Sequence, residues 1–261
     1  VDVSSVAQTF VAARRAGTAV DQYPGRELPA DLAEAYAVQD AAIALWGEEP
    51  AGWKAGLIAP ERRQPGGDER LIGPIWQHAI RDSGSHQIEM PVFDGGFAAI
   101  EAEFVVRLDV DAAAGSWTAA DAAELPQTLF AGIEIASSPF PKINDLGPAV
   151  TASDFGNNGG MIIGPQLPPD VDPSMITVRT LIDDDVAGEG SGATVPGGLA
   201  TAVAQTLTIL GRRHRSVPAG TFIATGATTG VHACQVGTSA VITFADLEPM
   251  RCRLVAAGPT S

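Results

Sequence analysis

Residues 99–110 read AIEAEFVVRLDV and residues 128–140 read TLFAGIEIASSPF. Successive side chains of a strand point to opposite faces. Glu101, Glu103, Val105 and Arg107 therefore share one face of the first segment, and Ile100, Ala102, Phe104, Val106 and Leu108 share the other. The two carboxylates sit roughly 7 Å apart at the backbone. By itself this segment also reads as an amphipathic strand with its charged face in water. The second segment is apolar on both faces, with Phe130, Gly132, Glu134 and Ala136 on one side and Ala131, Ile133 and Ile135 on the other. Glu134 is thus predicted to be buried. An isolated buried carboxylate costs on the order of several kcal/mol or takes up a proton, so it needs a cation or a donor beside it. Three glutamates gathered around one metal ion would meet that need. All-oxygen ligation selects hard cations, and three carboxylates that leave open positions suit Mg²⁺ or Mn²⁺ better than Zn²⁺. The sequence leaves open whether the two strands are neighbours.

Outward from these strands the pattern changes once. From about residue 50 onward the chain consists of short period-two segments punctuated by Gly, Pro and Asn, which is the pattern of strands and turns. Before that it reads as helix. Val6, Phe10 and Val11 fall on one face, and PADLAEAYAVQDAAIALWGEE (29–49) places Leu32, Tyr36, Gln39, Ile43 and Trp46 at three- and four-residue steps. Pro29 and Asp31 open this second helix and Gly47 closes it. One later helix is predicted at about 198–210, where Leu199, Val203, Leu207 and Leu210 precede Gly211. The run RRHR (212–215) then puts cations at its C-terminus, where the helix dipole favours them. The expectation is an α+β chain with a helical N-terminal region (1–50) and a β-rich catalytic body (51–261).

Composition narrows the function classes. A chain of 261 residues, 45% hydrophobic and 18% charged, is large enough for a continuous core and is not of disordered type. Its formal charge of −15 opposes binding to nucleic acid or to anionic lipid surfaces. No run approaches the roughly 20 apolar residues of a membrane span, and residues 1–17 lack a signal-peptide apolar core. Cys234 and Cys252 are too few for a disulfide framework, which fits a cytoplasmic setting. No nucleophile elbow or phosphate-binding loop is present. His232 reads as a structural histidine.

Two further segments bear polar groups on glycine-rich backbone. In GWKAGL (52–57), Gly52 and Gly56 flank Lys54 on one strand face, so a ligand can approach its ammonium, although a solvent-facing lysine would look the same. In ASDFGNNGGMIIG (152–164), Asn157 and Asn158 suit donors aimed at a carboxylate, or a plain turn.

EAEF followed about 30 residues later by GIEIASS resembles the three-carboxylate metal site of the fumarylacetoacetate hydrolase superfamily. GWKAGL upstream, then ASDFGNNGGMIIG and VPAGTFIATGATTG (217–230), follow in the order of its hydratase and decarboxylase branch. The resemblance runs from about residue 30 to 255. It implies a mixed β-roll or barrel body and a homo-oligomer. It implies Mg²⁺ or Mn²⁺ on Glu101, Glu103 and Glu134, with Lys54 as substrate contact and proton relay. Asn157, Asn158, Gly226 and Thr228 would be the substrate-binding residues. The implied activity is a lyase acting on 2-oxo acids, foremost hydration of a 2-hydroxy-2,4-dienoate. Alternatives are decarboxylation of an oxalocrotonate-type diacid, hydrolysis of an acylpyruvate, and oxo-acid binding without turnover. The sequence departs from the branch at Ser137, Ser138 and Pro139, where Asp-Ser-Arg is usual. It departs again at Asn157 and Asn158, which stand near a usual Ser, and at LIGPIW (71–76), which lacks the branch's acidic residue.

Overall fold

The computed structural model describes residues 1–259. The last two residues of the predicted 51–261 body lie outside the described residues. Helices α1 (Val3–Ala16) and α2 (Leu32–Trp46) come first. Strands β1 (Gly52–Leu57), β2 (Arg70–Ile75), β3 (Ile80–Asp82), β4 (Ile88–Val92) and β5 (Phe97–Leu108) follow. A short α3 (Ala119–Ala123) leads into β6 (Gln127–Ser138), and α4 (Pro148–Ser153) leads into β7 (Asn158–Gln166). The remainder comprises β8 (Val178–Ile182), β9 (Asp185–Gly190), α5 (Gly198–Arg212), β10 (Phe222–Ala227), β11 (His232–Ala233), β12 (Ser239–Phe244) and β13 (Met250–Ala256).

The helix boundaries follow the predicted signals. The Asp31 carboxylate accepts from the Glu34 amide at 2.9 Å, satisfying a donor that the first turn leaves free, and Gly47 closes α2. Helix α5 runs two residues past the expected end. The basic run beyond it binds carboxylates: Arg212 reaches Asp68 at 2.6 Å, and Arg213 and Arg215 reach Asp40 on α2 at 2.6 and 3.1 Å. These cations therefore fasten α5 to α2 and to the loop before β2.

The strands form two mixed sheets. One has the order β2-β1-β10-β5-β6-β7-β3, with β11 also paired to β5, and the other has the order β4-β13-β12-β8-β9. Ile100, Ala102 and Phe104 of β5 and Ile133 of β6 pack against Ile242, Phe244 and Leu254 of the second sheet. Phe104 meets Phe244 edge-on at 5.1 Å. Burying each such side chain contributes about 2 kcal/mol over leaving it in water. This assignment fixes the other side of β5, because alternate residues must point away from the core between the sheets. The helices do not form a core of their own. Phe10, Val38 and Ile43 share one apolar cluster with Trp53, Ile72 and Leu207.

Two ladder details open the site. The parallel pairing of β1 with β10 ends at Lys54 opposite Ala224. On the other edge of β10 the register with β5 shifts between Ala224 and Ala227. Beyond Lys54 the two strands part, and the cavity described below is lined by Gly56, Gly226 and Ala227. No helix among the described residues is long and apolar enough to cross a membrane.

Candidate metal centre

Strands β5 and β6 are antiparallel neighbours, with Glu101 directly opposite Glu134 and Glu103 opposite Gly132. One carboxylate oxygen from each glutamate lies within 4.8 Å of the other two. The alternative of a charged face in water is overturned: Glu101, Glu103 and Glu134 are 6%, 1% and 0% exposed.

Each carboxylate is held by a different element. The Gly226 amide donates to Glu103 Oε2 at 2.8 Å. Asn158 Nδ2 donates to Glu134 Oε1 at 3.1 Å, and Lys54 Nζ lies 3.3 Å from the same oxygen. Glu134 Oε2 is buried and has no hydrogen-bond partner among the described residues. Such an atom bears the full cost of desolvation unless something else binds it. Burial raises the Glu101 carboxyl to about 7, with Lys54 opposing and Glu134 adding to the shift. Burial, then the charges of Glu134 and Glu101, push Glu103 well above the usual carboxylate range. For Lys54 burial acts downward, but the three carboxylates outweigh it and hold the ammonium above its ordinary value.

Three carboxylates and one ammonium leave two negative charges in a buried site, the charge that one divalent cation neutralises. The donor set is all oxygen, and one Glu134 oxygen is buried without a partner. These residues fit a hard divalent ion such as Mg²⁺ or Mn²⁺.

Lys54 is 5% exposed and donates to Asn157 Oδ1 at 3.0 Å, so it is not a solvent-facing lysine. Asn157 and Asn158 lie on opposite sides of their shared turn's function. Asn157 lines the cavity beside Lys54, whereas Asn158 is absent from that lining and donates to Glu134. The turn is unusual. Phe155, Gly156 and Asn157 have φ of 51°, 60° and 56°, a left-handed conformation that costs a residue with a side chain about 1–3 kcal/mol. It presses on β2 at Gly73, where an added Cβ would come 2.0 Å from the Phe155 carbonyl oxygen. Only glycine fits at that point of β2.

The turn is clamped from α1. Arg14 donates to both carboxylate oxygens of Asp154 at 2.6 and 2.9 Å, to the Asn158 carbonyl at 2.9 Å, and to the Ser137 carbonyl at 3.1 Å. Ser138 Oγ adds a 2.6 Å bond to Asp154. One guanidinium thus grips the residues before and after the three left-handed positions. Its plane also lies 5.1 Å from the centre of the Phe155 ring.

Gly226 acts through its backbone on Glu103 and lines the cavity. Thr228, a substrate-binding residue by the family resemblance, is engaged with the sheet in this structure. Its hydroxyl donates to the Ala102 carbonyl at 2.7 Å, the residue is 3% exposed, and it is not among the residues lining the cavity. The β10 bulge rotates it toward β5, where it stitches the strands together. His232 Nε2 lies 3.2 Å from Thr229 Oγ1, outside the cavity lining, as a structural histidine would.

The cavity has a volume of about 470 Å³. Its ionisable lining comprises Glu101 of the triad and three cations, Lys54, Arg62 and Arg70. Arg70, Arg14 and Asp154 were not singled out by sequence reasoning.

No protein-family model matches the chain, and no curated protein matches it. Solved structures do. The structure of 4-oxalocrotonate decarboxylase from Pseudomonas putida G7, complexed with magnesium and adipate, matches with a TM-score of 0.80 and 20% identity over 97% of each chain. This chain shares that fold. More distant likenesses include 5-carboxymethyl-2-hydroxymuconate delta-isomerase from Mycobacterium smegmatis, with a TM-score of 0.57 and 19% identity over 79% of this chain and 78% of that one. Fumarylpyruvate hydrolase from Pseudomonas aeruginosa, in complex with Mn²⁺ and pyruvate, matches with a TM-score of 0.56 and 16% identity over 78% and 89%. The likeness to the decarboxylase spans helices and sheets alike, in agreement with the α+β fold expected from the sequence.

Proposed function

We propose that this chain is a divalent-metal-dependent lyase of 2-oxo acids, and that it removes CO₂ from an unsaturated 2-oxo diacid. The observation that carries this reading is the cavity lining, in which every ionisable group outside the carboxylate triad is a cation. A divalent ion on Glu101, Glu103 and Glu134 would supply an electron sink at the keto oxygen of a 2-oxo acid. In decarboxylation the bond to the distal carboxylate breaks, its electron pair moves through the conjugated carbons toward that oxygen, and CO₂ departs. No base is required. The remaining need is a proton donor, and Lys54, held by Asn157 and Glu134 with its ammonium favoured, is the residue to provide it.

Hydration, the activity foremost in the sequence reading, needs a base for the attacking water, as does hydrolysis of an acylpyruvate. The single acid lining the cavity is Glu101, which the triad claims. Hydration therefore ranks second. The fold shared with 4-oxalocrotonate decarboxylase adds support to the first reading.

The test is turnover by the purified chain with Mg²⁺ on 2-oxohex-3-enedioate, 2-hydroxypenta-2,4-dienoate and an acylpyruvate. CO₂ release from the diacid, with slower or no change of the other two, is the expected outcome. Faster consumption of the dienoate would make the chain a hydratase. Tight binding of all three without turnover would make it a binding protein.

A further inference from the structure

Arg70 is the largest fully buried side chain among the described residues, 1% exposed, and it lines the cavity. Its partners are backbone carbonyls rather than carboxylates. Nη1 donates to Ala55 at 3.0 Å and to Thr225 at 3.1 Å, and Nη2 donates to Pro196 at 2.9 Å. Ala55 and Thr225 lie on β1 and β10 just past the point where the ladder between them ends. The guanidinium thus occupies the gap where the strands part. It has five N–H donors, so two remain after these carbonyls are satisfied.

A glutamine amide could donate to these carbonyls without a permanent charge. Burying a guanidinium is costly unless an opposite charge compensates it. The acidic groups whose charges act on it are Glu103 of the triad and Arg70's chain neighbour Glu69. Gly226 stands between Arg70 and Glu103, with its amide on Glu103 Oε2 at 2.8 Å, and a Cβ added to it would come 2.9 Å from Arg70 Nη1. Gly226 also has φ of 112°, a backbone conformation that favours glycine.

The triad, Lys54 and a divalent ion together are neutral, so the charge that draws an anion comes from the other two cations of the lining, Arg62, which is exposed and screened by solvent, and Arg70, which is buried. Arg70 adds one positive charge, which one carboxylate neutralises. We propose that Arg70 is the specificity residue that makes the metal-loaded cavity an anion site and positions a carboxylate of the incoming 2-oxo acid. This inference rests on the metal and 2-oxo-acid reading above.

The test uses the full chain and two probes, Mn²⁺ alone and then oxalate added to the Mn²⁺-loaded protein, both followed by calorimetry. In Arg70→Met, oxalate affinity is expected to fall on the order of tenfold to a hundredfold. Mn²⁺ affinity is expected to rise by about two- to tenfold, because a like charge near the ligands is removed. Arg70→Lys, which keeps the charge, should recover most of the oxalate affinity. A merely structural arginine predicts the opposite pattern, with both affinities falling together and no recovery by lysine. If Arg70→Met does not fold, Arg70→Gln removes the charge while retaining an amide donor for the carbonyls, and the same opposed changes are expected. Oxalate binding equal in parent and charge-removed variant would overturn the inference and leave the metal reading intact. Failure of oxalate to bind the Mn²⁺-loaded parent would overturn both.

Discussion

The paired strands β5 and β6 and the turn at residues 154–158 both hold the candidate site, but by different means. In the strands, the ladder places Glu101 opposite Glu134 by regular alternation, and the core between the sheets selects which face each residue takes. In the turn, two non-glycine residues take left-handed backbone, and a guanidinium from α1, about 140 residues earlier in the chain, keeps them there. The strands carry the three candidate metal ligands with little local strain. The turn stores strain so that Asn157 and Asn158 can meet Lys54 and Glu134. Ligand identity is thus a local property here, whereas ligand orientation depends on distant packing.

Breaking the strand side should have the largest effect. Glu103→Gln keeps the shape of the side chain and removes a charge that holds a divalent ion. Loss of several kcal/mol of transition-state stabilisation corresponds to a drop in turnover on the order of a thousandfold. The protein should remain folded, because the same substitution removes a buried charge. Glu124→Gln, on an exposed residue closing the short helix before β6, should change neither turnover nor metal affinity. Equal losses in the two variants would deny the strands their role.

Breaking the turn side should act on stability first. Arg14→Gln leaves the buried Asp154 carboxylate without its cation, a change that costs about 3–5 kcal/mol. Denaturant unfolding should show this loss, and Mn²⁺ affinity should fall severalfold as Asn158 loses its hold on Glu134. An unfolding curve like that of the parent would separate α1 from the site.

Lys54 joins the two regions and sharpens the contrast. Lys54→Met should weaken oxalate binding to the Mn²⁺-loaded protein by about tenfold, the worth of one charge-assisted hydrogen bond. Metal affinity should hold or rise, because Lys54 competes with the ion for Glu134 Oε1. Parallel loss of both affinities would reduce Lys54 to a scaffold residue.

The smallest effect concerns pH. Burial raises Glu101 to about 7 from its ordinary 4.5, and raises Glu103 as well. Between those limits the folded, metal-free protein binds more protons than the unfolded chain, so its stability falls as pH rises. Thermal unfolding in EDTA should therefore show a lower midpoint at about pH 8 than at about pH 5. Saturating Mg²⁺ should stabilise more at the higher pH, where the ion meets ionised carboxylates. A larger Mg²⁺ effect at the lower pH would contradict the raised values.

The two regions also differ in how much of them the sequence disclosed. The alternation in residues 99–110 and the two-sided apolarity around Glu134 were enough to assign faces and burial, because strand period and core packing act locally. Glycines beside Lys54 pointed to an approachable ammonium. Nothing local announced the backbone of Phe155, since an aromatic residue gives no sign of left-handed φ. The partnership of Arg14 with Asp154 depends on how α1 docks, and Arg70 is explained by strands that part only in three dimensions. The hydrogen bond from Thr228 to the Ala102 carbonyl is hidden for a related reason, since no residue type marks the β10 bulge that precedes it.

The central claim is that Glu101, Glu103 and Glu134 form one metal site, and Mn²⁺ titration of the metal-free chain by calorimetry tests it most directly. The account predicts one Mn²⁺ per chain for the parent, and for Glu134→Gln a loss of affinity on the order of a hundredfold or more. No binding by the parent, or unchanged binding by Glu134→Gln, would contradict it.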